Sequence, residues 1–135
     1  MAGPETHGYA GKSLTQKLGL KPGMVCLPVN PPSHYRDLLP DSDGVTFRQR
    51  AKSADLVHLF CANKTDLRKR LPAILGKVAE GGMIWVSWPK KSSPLFIDLT
   101  EDDLRAEILP LDFVDVKVCA VDQDWSGLKF VRRKS

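Results

Sequence analysis

At 135 residues the chain has room for one domain and little more, and with 42% hydrophobic and 27% charged residues it has an ordinary globular balance that excludes disorder. No apolar run approaches the roughly 18–20 residues of a membrane-spanning helix. The net charge of +4 tolerates nucleic acid without requiring it, and the small basic groups at 48–52, 68–70, 90–91 and 132–134 suit a solvated surface.

Residues 1–11 have the small-residue character of a flexible arm, and 12–135 form the expected single domain. The start Met1-Ala2-Gly3-Pro4-Glu5 has neither the basic residues nor the apolar stretch of a secretory leader, so the expected compartment is the cytoplasm. Residues 13–18 predict a short helix ending at Gly19. Pro22-Gly23 turns the chain, and 24–29 is an apolar first strand that Pro28 cuts short or bulges. Pro31-Pro32 ends it. Ser33 is placed to cap a brief helix through Leu39, closed by Pro40.

Residues 45–50 alternate apolar and polar, as a half-exposed edge strand does. Residues 55–61 are nearly all apolar, the pattern of a central parallel strand buried on both faces. Thr65 is placed to cap a helix whose Leu67, Leu71, Ile74, Leu75 and Val78 share one face, with Gly81-Gly82 as its end. Residues 83–88 predict a second buried strand, followed by a basic loop at 89–94. Thr100 with Asp103 makes a capping box for a helix to Leu109, stopped by Pro110. Residues 113–121 and 125–133, joined by Asp122-Gln123-Asp124, predict an antiparallel pair, with Val114, Val116, Val118 and Ala120 along one face.

Cys26, Cys61 and Cys119 are odd in number and far apart, as buried reduced thiols are. No C-x-x-C or H-x-x-x-H spacing suggests a metal site. His58, inside the most apolar strand, is expected to be a hydrogen-bonded core or half-buried residue rather than a ligand, and Trp85 a core residue.

The order strand, helix, Gly-Gly, strand, helix, terminal antiparallel pair resembles the closing half of class I methyltransferases. The run 54–60 is similar to the fourth strand of that fold. Ala79-Glu80-Gly81-Gly82-Met83-Ile84-Trp85-Val86 resembles the approach to its fifth strand, and Leu111-Asp112-Phe113-Val114-Asp115-Val116 the approach to its sixth. The whole chain also resembles a bacterial family of small proteins of unknown function. That likeness rests on the runs 18–24, 54–60, 83–91, 98–102 and 115–122, of which Trp88-Pro89-Lys90-Lys91 is the most specific. The resemblance implies an α/β fold, a three-layer Rossmann-like sheet, mostly parallel, with a C-terminal antiparallel strand pair. It is a reduced version that lacks a third strand and two helices.

A methyltransferase holds S-adenosylmethionine with a glycine-rich loop after the first strand, because the backbone there must turn sharply and approach the cofactor. Here that loop reads Asn30-Pro31-Pro32-Ser33-His34-Tyr35, and no glycine lies between Gly23 and Gly44. Proline also lacks the N–H such a loop offers. The acidic residue expected at the end of the second strand is replaced by Arg48-Gln49-Arg50. These departures imply no cofactor. Ser87-x-x-Lys90 matches the Ser-x-x-Lys of penicillin-binding enzymes, but Pro89 denies it the helix that pair needs.

In open parallel sheets, ligands bind beyond the carboxyl ends of the strands. Asn30, Asn63, Trp88, Lys90, Lys91 and Trp125 are the ligand-binding candidates on that edge, suited to a small anion or to an acidic segment of a protein partner. No catalytic acid–base pair stands out. The resulting expectation is a non-catalytic Rossmann-like binding module. Two alternatives stay open: a small enzyme using the same edge, and a nucleic-acid-associated protein, the latter disfavoured by the scattered charge.

Overall fold

The computed structural model describes residues 12–133. In chain order it contains α1 (Leu14–Leu18), β1 (Val25–Val29), a 3-10 turn (Tyr35–Leu38), β2 (Thr46–Phe47), β3 (Ala54–Phe60) and α2 (Lys64–Leu75). It continues with β4 (Val78–Pro89), α3 (Glu101–Ile108), a second 3-10 turn (Leu109–Leu111), β5 (Phe113–Ala120) and β6 (Trp125–Arg132). The arm expected over residues 1–11 lies outside the described residues.

The six strands form one sheet in the order β2-β1-β3-β4-β6-β5. The first four are mutually parallel, and β6 runs antiparallel between β4 and β5. This is the mostly parallel α/β sheet with a terminal antiparallel pair that the residue pattern predicts. The chain order steps to one side of β1 for β2 and to the other side for β3, so the connections diverge there. That divergence fixes the switch point at the carboxyl end of β1.

Both faces of the sheet are covered, which is why β3 and β4 read as apolar runs rather than alternating ones. On one face Leu67, Leu71 and Ile74 of α2, with Leu104 and Ile108 of α3, pack on Val57, Leu59, Ile84, Val86 and Phe130. On the other face Leu18, Leu20, Tyr35 and Leu39 pack on Cys26, Leu56, Phe60 and Trp85. Trp85 is fully buried, and its Nε1 donates to the Leu18 carbonyl at 2.9 Å, tying α1 to the sheet.

Five local expectations are corrected. The cap of α2 is Asn63, not Thr65: its side chain accepts from the Asp66 N–H at 2.8 Å. The helix ends at Gly76, and Val78 already belongs to β4, so Gly81-Gly82 lies within a strand rather than at a helix end. There Gly82 meets the Asp55 and Ala79 carbonyls so closely that a Cβ would sit 2.8 and 2.9 Å from them. Backbone crowding, not helix termination, explains that glycine.

The segment after Ser33 is a 3-10 turn with no side-chain cap. The edge strand expected over 45–50 shrinks to Thr46–Phe47, because only two residues pair with β1. Finally, Val114 and Val118 do not share a face. The pairing with β6 shifts between Asp115 and Lys117, so Asp115 stands opposite Phe130 and Val118 opposite Leu128. The extra residue of a bulge inverts the alternation.

Candidate functional site

The chain leaves β1 through Asn30, which adopts a left-handed backbone at φ +58°. Asparagine is one of the few residues other than glycine that tolerate this region. The turn is held by the Asn30 side chain, which donates from Nδ2 to the Phe60 carbonyl at the end of β3, 3.2 Å away. Asn30 thus ties the ends of β1 and β3 together at the switch point, and it turns the chain there without a glycine. The pattern of glycines hid this because the signal was one asparagine rather than a motif.

Beyond the turn a groove of about 620 Å³ opens between the 30–36 segment and the residues after β2. Pro28, Val29 and Asn30 bound it at the end of β1. Arg36 flanks it on one side, and Phe47, Arg48 and Gln49 on the other. The Arg36 guanidinium lies 3.9 Å from the centre of the Phe47 ring, so the two sides touch. Arg48 N–H donates to the Cys26 carbonyl at 2.9 Å, which fixes the backbone after β2 against β1. A volume of this size falls within the ordinary range of small-molecule sites.

Beneath the groove runs a buried hydrogen-bond chain. Tyr35 Oη and His58 Nδ1 are 2.9 Å apart, and His58 Nε2 and Ser87 Oγ are 2.7 Å apart. His58 also stacks on Phe60 at 4.3 Å between ring centres. Burial alone lowers the His58 pKa to about 3, so the imidazole is neutral: one ring nitrogen donates to its hydroxyl neighbour and the other accepts from its own. Burial likewise raises the Tyr35 hydroxyl far above its ordinary value, and raises the Cys26 thiol to about 11. Ser87 beside His58 has the composition of a nucleophile and its base, but both are fully buried. The pair therefore joins β3 to β4 instead of meeting a substrate, as the core assignment of His58 anticipates.

A second link spans the sheet edge. His34 Nε2 meets Asp122 Oδ2 at 2.8 Å, joining the loop after β1 to the β5–β6 turn. Burial raises the Asp122 pKa, but the His34 contact and the N–H groups of Asp124 and Trp125 outweigh it and hold the carboxylate below its usual range.

The six candidates from the sequence do not form one site. Asn30 bounds the groove. Asn63 is occupied as the cap of α2. Trp88, Lys90 and Lys91 line a separate groove of about 410 Å³ together with Ser126 and Glu101 of α3. Trp125 is on the other face of the sheet, its ring edge-on to Phe60 at 5.1 Å, within the cluster around Tyr35. The strand register explains the split. Trp88 pairs with Ser126 and Pro89 with Trp125, so neighbouring positions send the two indoles to opposite faces. Arg36, Phe47, Arg48 and Gln49 were not among the candidates, because the elements carrying them come together only through the turn at Asn30.

No family model matches the chain, and no curated protein is similar to it. Solved structures do share its fold. A putative type 11 methyltransferase from Sulfolobus solfataricus superposes with a TM-score of 0.63 at 15% identity, over 90% of each chain. A SAM-dependent methyltransferase from Aquifex aeolicus gives 0.58 at 11% identity, covering 87% of this chain and 86% of the other. Magnesium protoporphyrin IX methyltransferase from Synechocystis, with bound SAH, gives 0.57 at 12% identity, covering 88% and 78%.

At these identities the likeness establishes a methyltransferase-like fold. The expectation of a non-catalytic module does not stand. It assumed that the missing glycines had closed the scaffold's cofactor site. Solved structures that share the scaffold include methyltransferases, and Asn30 takes up a left-handed turn conformation in a loop that has no glycine. Among the described residues no helix is long and apolar enough to cross a membrane.

Proposed function

We propose that this chain is a group-transfer enzyme of the methyltransferase type, with an adenosyl cofactor lying in the groove between the turn at Asn30 and the end of β2. The observation that carries this reading is the left-handed backbone of Asn30, which turns the chain at the switch point and leaves an open cavity beside it. Solved proteins with this fold, described as SAM-dependent or as carrying bound SAH, support it.

The groove fits an adenosyl group in size. Phe47 and the prolines offer apolar surface for a purine, and the Gln49 amide can donate to and accept from ribose hydroxyls. No carboxylate lines the groove, so any hold on the ribose depends on neutral groups such as the Gln49 amide and the Ser33 hydroxyl. When bound, S-adenosylmethionine supplies an electrophilic methyl group. The chain's own residues bind and orient it: Asn30 by shaping the turn, Gln49 by its amide, and Arg36 and Phe47 by bounding the cavity. Three thiols with no disulfide among them support a reducing compartment, hence the cytoplasm.

Isothermal titration of the full chain with S-adenosylmethionine and S-adenosylhomocysteine tests the reading. Binding of either at micromolar to high-micromolar concentration, weakened in Asn30→Ala and kept in Asn30→Gly, is the expected result. No heat from either compound at millimolar concentration, with the chain folded, removes the proposal.

A further inference from the structure

Two arginines face the groove where an acidic residue would meet a ribose. Arg48 follows β2, and Arg36 is held against Phe47 from the opposite side. Neither forms an ion pair among the described residues, although Arg68, Arg70, Arg105 and Arg133 all do. The groove lining contains no aspartate or glutamate. A cavity with two uncompensated guanidinium groups and no carboxylate attracts an anion, and guanidinium matches planar or tetrahedral oxyanions by paired N–H donation. The adenosine half of an adenosyl cofactor is uncharged and leaves this charge unused.

We infer that Arg36 and Arg48 form an oxyanion subsite that takes the acidic group of an adenosyl ligand, a carboxylate or a phosphate. The inference rests on the adenosyl reading of the groove and narrows it to ligands that carry such a group. Arg48 is exposed, and Arg36 is already positioned by its ring contact, so the subsite is half preformed. Gln49 lies between the β2 end and the neighbouring groove, where it can meet the sugar while the arginines meet the anion.

The test compares three probes by isothermal titration of the full chain: S-adenosylhomocysteine, which carries a carboxylate; adenosine 3′,5′-bisphosphate, which carries phosphates; and 5′-methylthioadenosine, which carries neither. A charge-assisted contact at this site should make the better anionic probe bind roughly tenfold to a hundredfold more tightly than methylthioadenosine. Arg48→Gln should shrink that gap, and Arg36→Gln with Arg48→Gln should close it.

Both side chains are exposed, so the variants should keep the wild-type unfolding transition. Arg48→Gln alone leaves the Arg36–Phe47 contact intact. Which anionic probe wins identifies the group. Equal binding of all three probes, or a gap that survives in the double variant, overturns the subsite while leaving the adenosyl reading standing. Failure of all three to bind overturns both.

Discussion

Mild acid should loosen this fold through one buried imidazole. His58 is fully buried between Tyr35 and Ser87, and its pKa in the folded chain is about 3 against an ordinary 6.5. Above pH 6.5 the imidazole is neutral in both the folded and unfolded chain, and this stability is fully present. As pH falls below 6.5 the unfolded chain takes up a proton that the folded chain refuses, so stability falls until the folded value near 3 is reached. At about 1.4 kcal/mol per pH unit, the loss between pH 6.5 and 5 is on the order of 2 kcal/mol.

That interval lies above the titration of Asp41, Asp103, Asp115 and Asp122, all held low in the folded chain, so their contribution enters only at lower pH. The assay is urea unfolding followed by tryptophan fluorescence at half-unit steps from pH 7.5 to 5. His34→Gln is run in parallel to remove the exposed imidazole beside Asp122. His58→Gln should be less stable at pH 7.5, with buried hydroxyls left imperfectly paired, but its stability should be nearly flat over the same interval. An equal slope in wild type and His58→Gln would refute the reasoning.

Asn30→Ala should cost about 1–2 kcal/mol, because alanine resists the left-handed backbone and cannot donate to Phe60; Asn30→Gly should cost less, and paired thermal melts separate the two. Gly82→Ala should cost at least about 2 kcal/mol in chemical denaturation, since the obstacles are the Asp55 and Ala79 carbonyls rather than side chains that can swing away. Asn63→Ala should cost about 1 kcal/mol through the lost cap of α2 while leaving adenosyl-ligand titrations unchanged. Arg105→Met, which removes exposed contacts to Glu101, Asp102 and Asp115, should change stability by less than about 1 kcal/mol, and the difference should shrink in added salt.

The strands were legible because burial writes itself into composition. The two-sided burial of β3 and of the second half of β4 gave mostly apolar runs, and the Thr100–Asp103 box marked α3 by chemistry alone. The start of α2 was misplaced because Asn63 and Thr65 are both good caps, and only the hydrogen bond to Asp66 chooses between them. The bulge in β5 leaves no mark in the alternation of Val114, Val116 and Val118, since the extra residue shows only in pairing with β6. The groove was the least legible part. Its lining joins residues from two separated segments, 28–36 and 47–49, and the conformation that assembles them is a φ angle at one asparagine, which composition does not encode.

The two margins of the sheet bear on how this protein behaves when concentrated. An open margin invites strands from other molecules to add on and seed fibres. β2 offers a ladder of only two residues, too short to template anything. β5 offers eight residues and two outward valines, a riskier border, but the irregular step at Asp115–Lys117 breaks the rhythm an incoming strand would need to follow. One border is guarded by brevity and the other by a flaw. Straightening the second, by deleting Val116, would trade solubility for a smoother edge.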